Sequence, residues 1–81
     1  MIINELAYIT NKIDNEIKEL QSYKKRLRKF FFIESVKGKL NSTEFNDIVD
    51  ELERLSIEIG YLENQKIEYN NIDELMQNQL Y

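Results

Sequence analysis

The densest run of chemistry-bearing side chains is Lys24-Lys25-Arg26-Leu27-Arg28-Lys29, and it leads directly into Phe30-Phe31-Phe32. Cations packed this closely beside aromatics suit a phosphate backbone, with Lys24, Lys25, Arg28 and Lys29 as the candidate contacts. They also suit the headgroups of a membrane surface. The rest of the charge supplies a competing reading. Residues 1–40 hold nine Lys/Arg against five Asp/Glu, and residues 41–81 hold two against ten. A chain that folds back on itself would set the basic run opposite Asp50, Glu51 and Glu53, with Asp47 and Glu44 nearer the turn. The two runs would then favour one antiparallel register, as flanking charges do in coiled coils. The net charge of −4 weighs further against a polyanion, which would also meet the acidic half.

Catalytic chemistry has little to work with. There is no His and no Cys, so the commonest general base and the strongest nucleophile are missing. No glycine-rich phosphate loop, nucleophile elbow or Asp-rich calcium loop occurs. A metal would have to be held by carboxylates alone, and these follow solvent-face spacing. Glu16 and Lys66 are exceptions, falling where the pattern wants apolar residues, and such residues more often set register or oligomer state. The expectation is therefore no catalytic residue, no metal and no cofactor.

Two short segments resemble helical enzymes. Residues Ile9 to Leu20 look like the first helix of a helical chorismate mutase. That family needs several arginines converging on a dicarboxylate, whereas the second half here offers only Arg54. The segment Leu55-Ser56-Ile57-Glu58-Ile59-Gly60 resembles the Ser-Gln-Glu-Leu-Asp motif of small sporulation phosphatases acting on aspartyl phosphate. Ile57 stands in place of the glutamine and Gly60 in place of the final acid. Each resemblance covers a dozen residues or fewer and lacks the groups that carry activity.

The elements that position these side chains are helices. Pro is absent and Gly occurs only at Gly38 and Gly60. Leu6, Ile13, Leu20 and Leu27 recur every seven residues, with Ile2, Ile9, Glu16, Tyr23 and Phe30 as the companion row. This predicts a helix from about 3 to 35, roughly 50 Å long, ended by Gly38 in a left-handed cap. After a turn at 36–41, Asn41 can cap a second helix over about 42–69, with Glu44 three residues on. Its rows are Phe45, Leu52, Ile59 and Ile48, Leu55, Leu62, Tyr69. Gly60 falls inside it and reads as a close-packing or kink position. Asn70-Asn71 offers another cap, which predicts a short third helix over about 72–80 built on Ile72, Leu75, Met76 and Leu80, the alternative being that the second helix continues to the C-terminus. Helices joined by so short a turn fold into an antiparallel hairpin. Facing residue numbers then sum to roughly 77, which sets Phe31 near Phe45 and Leu20 near Leu55.

The fold class is thus all-α, a two-helix hairpin with a short C-terminal helix, completed into a bundle by oligomerisation. An 81-residue chain buries only about 60–65% of its unfolded surface, and without disulfide or metal it needs another source of stability. Three consecutive phenylalanines sweep about 200° of a helix, more than one face can bury. Phe32, Ile33, Ile57 and Tyr61 are left over as candidate protein-interface residues. The expected partners are a second copy of the chain and another protein, with nucleic acid third and no membrane. The expected function is that of an inhibitor, antitoxin or adaptor masking a macromolecule, with a purely structural oligomer as the alternative. The Ile, Asn and Lys bias implies AT-rich coding, and motif-free helical chains of this size are common in phages and mobile elements, an association of fold rather than chemistry. The longest apolar run, Phe30-Phe31-Phe32-Ile33, is far below the ~20 residues of a membrane span. With no leader-like N-terminus and no cysteine, the expected location is cytoplasmic.

Overall fold

The computed structural model describes residues 2–79, with side-chain surroundings defined for residues 5–76. Helix α1 spans Ile2–Val36 and helix α2 spans Ser42–Gln79. The two pack side by side as an antiparallel hairpin 62 × 14 × 14 Å in extent. No helix among the described residues is long and apolar enough to cross a membrane.

The turn is built as its residues dictate. Gly38 adopts φ +67°, a left-handed conformation that costs glycine nothing and L-residues about 1–2 kcal/mol. Around it the Lys39 amide donates to the Glu34 carbonyl at 3.0 Å and the Gly38 amide donates to the Ser35 carbonyl at 3.1 Å. These two bonds form a Schellman cap, satisfying carbonyls that the helix end leaves orphaned. Helix α2 is capped by Asn41, whose Oδ1 accepts the Glu44 amide hydrogen at 2.8 Å.

Apart from Phe45, which is exposed beside the turn, the rows of α2 fall as the spacing predicts. Leu55, Ile59 and Leu62 are buried, Leu55 completely. Ile48, Leu52 and Tyr69 are half-buried. In α1 the leading row is also right, with Leu6 and Ile13 buried and Leu20 and Leu27 half-buried. Ile9 of the companion row packs against the seam and the side-chain surroundings of Ile2 lie outside the described residues, but beyond Ile9 the row is displaced by one residue. Thr10, Ile17, Lys24 and Phe31 turn toward α2, while Glu16, Tyr23 and Phe30 are exposed. Residues three and four places along both lie within about 60° of the leading row. This sequence carries large apolar groups at both, so the choice falls to the facing helix. Burying Ile17 lets Ile13 and Ile17 form a cluster with Ile59 and Leu62, against which Ile9, Leu20 and Tyr69 pack. Thr10 is tolerated on the seam because its hydroxyl donates back to the Leu6 or Ala7 carbonyl, 3.0 Å from each.

Two further expectations are corrected. No third helix begins at Asn71: α2 runs unbroken through Asn70 and Asn71. Asparagine costs a helix well under 1 kcal/mol, and Tyr69 and Met76 continue the seven-residue row of Ile48, Leu55 and Leu62, so one long helix keeps its packing. Leu80, assigned to that third helix, lies outside the described residues. Gly60 does not mark a close approach either, because a Cβ built there would meet nothing within 4 Å.

Candidate functional site

The hairpin presents two unlike flanks and two outer backs, fixed by the seven-residue register of its seam. On one flank Lys66 of α2 reaches across to α1. Its Nζ lies 2.8 Å from Asp14 Oδ1, and Lys18 lies 3.5 Å from the other oxygen. The hydrogen bond from Lys66 holds the Asp14 carboxyl below the ordinary aspartate range, against a smaller opposing effect of desolvation. Lys66 was expected on the seam, and it sits there; its partner is Asp14, and Glu16 points to solvent. Sequence pattern misses this pair because Asp14 flanks the seam instead of occupying it. The signal that was available is the cation Lys18 four residues further along α1.

The same flank carries part of the basic run. Gln21, Lys24, Lys25 and Arg28 line a groove of about 440 Å³ with Ile59 and Glu63. Arg26 and Lys29 point elsewhere on α1. Among the described residues none of Lys24, Lys25, Arg26, Arg28 or Lys29 forms an ion pair, which corrects the expectation that they meet the acids of α2. The acid of α2 that shares this groove is Glu63, and Glu51 is occupied on the opposite flank. There the Arg54 guanidinium bonds Glu51 Oε1 at 2.6 Å and Glu58 Oε2 at 2.8 Å. That contact lowers the Glu51 carboxyl from its usual value and raises Arg54, which stays charged.

This second flank, named here for Tyr23, is the more apolar. Tyr23, Phe30 and Ile33 project from α1 and Tyr61, Ile72 and Leu75 from α2, all exposed. The four interface candidates are divided by the fold. Ile33 and Tyr61 lie on the Tyr23 flank. Phe32, 68% exposed, lies on the Lys66 flank, and Ile57, 72% exposed, lies on the back of α2. The displaced α1 row explains why Tyr23 and Phe30 escaped notice as surface residues: periodicity assigned them to the seam. Phe31 takes the inner place, its ring 5.0 Å from that of Phe45 and tilted by 49°.

No group of three or more acidic residues among the described residues could hold a metal ion. What the arrangement offers is extended helical surface in place of convergent reactive groups. Comparison with protein families, with curated proteins and with solved structures finds no match to this chain.

Proposed function

We propose that the chain is a non-enzymatic protein-interaction module that binds and masks a macromolecular partner, in the manner of an inhibitor, antitoxin or adaptor. One observation carries this reading. The Cα radius of gyration is 18.3 Å, against about 12 Å for a compact domain of this length. The chain has built a long rod with a thin seam and left large apolar side chains outside it. Exposed apolar surface on this scale marks contact sites, and rods present it as grooves and ridges for other helices.

The test is affinity capture from the native host with the full chain and with a Phe32→Glu, Ile57→Glu variant. A protein retained in fixed stoichiometry by the first and lost by the second is the expected result. Self-assembly with no other macromolecule bound would favour the second reading, a purely structural helical bundle.

A further inference from the structure

The Tyr23 flank has properties that single out its occupant. The chain exposes 6551 Å², whereas a folded monomer of 9.8 kDa exposes about 5,200 Å². The surplus, roughly 1,400 Å², exceeds the ~800 Å² that each partner contributes to a standard interface. Apolar residues are unevenly placed around the rod. The Lys66 flank interleaves Val49, Phe32 and Ile67 with Lys18, Lys24, Lys25 and Arg28. The Tyr23 flank gathers six large side chains from both helices around the mutually paired Arg54, Glu51 and Glu58. They fall into two groups, Tyr23, Phe30 and Ile33 toward the turn and Ile72 and Leu75 toward the open end, with Tyr61 between. The groups lie about 35 Å apart along the rod at the helical rise per residue. An occupant must therefore span at least about 35 Å and be apolar at both ends.

We infer that this occupant is a second copy of the chain, packed flank to flank so that two hairpins complete a four-helix bundle. The inference rests on the interaction-module reading and names the surface that is used for self-contact. A second hairpin matches the required length and apolar spacing by construction, and its flank draws on two helices, as a bundle core requires. Phe32 and Ile57 lie outside this contact.

Sedimentation equilibrium on the full chain at micromolar concentration tests it, with helicity followed by circular dichroism. The unmodified chain should sediment as two copies. Phe30→Glu with Leu75→Glu should raise the dissociation constant at least tenfold while helicity at high concentration is retained. Where those charges prevent folding, the milder Phe30→Gln with Leu75→Gln gives the same readout. Phe32→Glu with Ile57→Glu should leave the mass unchanged. A folded monomer in the unmodified chain overturns the inference. A dimer that survives the flank substitutions and is lost in Phe32→Glu, Ile57→Glu overturns it as well. A monomer that captures a foreign partner stoichiometrically leaves the interaction reading standing and removes only the second copy.

Discussion

Lys66 and Asp14, 52 residues apart in sequence, form the ion pair that ties the open half of the hairpin together. Both side chains remain about one-third exposed, so the pair is solvent-screened and its stabilisation is modest. Its pH signature is still definite. The Asp14 carboxyl is held below its unfolded value near 3.8, so folding keeps it ionised. The contribution is present above about pH 4 and is lost as pH falls through the lowered folded value. Asp14→Asn should therefore flatten part of the acid limb of a stability–pH curve, its effect shrinking as pH falls. An identical acid limb in wild type and variant would exclude the pair as a contributor.

Leu55 is wholly buried and Leu20, its expected counterpart, only half so. Leu55→Ala should cost about 2–4 kcal/mol in urea unfolding, while Leu20→Ala should cost about 1–2, because less apolar contact is removed. Equal losses at the two positions would mean that Leu20 is covered in solution by something the single hairpin lacks.

The heptad rows of α2 and the capped turn were legible because each depends on local chemistry. Gly38 supplies the left-handed residue, Asn41 the cap, and Leu55 and Leu62 repeat at a spacing that only one face satisfies. The companion row of α1 was not legible. Tyr23 and Phe30 compete there with Ile17 and Phe31 for the same seam, and the winner is set by Ile59 and Leu62, distant in sequence. The third helix failed for a related reason. Asn71 with Glu74 can begin a helix, but nothing compels the preceding helix to stop. Consequently Tyr23 and Phe30 read as core from periodicity and are missing from the interface candidates.

Gly60 gives a test free of packing. It sits inside α2 with open space where a side chain would go, so Gly60→Ala gains helix propensity and restrains the unfolded chain without a clash. The expected gain is about 0.5–1 kcal/mol, read as a rise of a few degrees in melting temperature. A loss of stability would show that a partner or a second copy approaches the backbone closely at this position.

Salt separates the apolar flank from an electrostatic contact. Glu16, Glu19, Glu51, Glu58 and Glu68 border the Tyr23 flank against Lys12, Arg26 and Arg54, leaving an excess of carboxylates. Self-association through it should tighten between about 10 and 150 mM salt as like-charge repulsion is screened. Weakening over that range would point instead to the basic run of one copy meeting the acidic second helix of another.

The basic run is the remaining question for binding. Lys24, Lys25 and Arg28 line an open groove without ion-pair partners, which is what a phosphate ligand would require. Glu63 shares that groove, however, and the chain carries a net charge of −4. A polyanion following the groove would lie against the Glu63 carboxylate. Repulsion there offsets the few favourable contacts available. Binding to single-stranded or duplex nucleic acid should therefore be undetectable at 10 μM protein and about 150 mM salt in fluorescence anisotropy. Micromolar affinity with a steep inverse dependence on salt, abolished by Lys25→Gln with Arg28→Gln, would instead make this groove a nucleic-acid site.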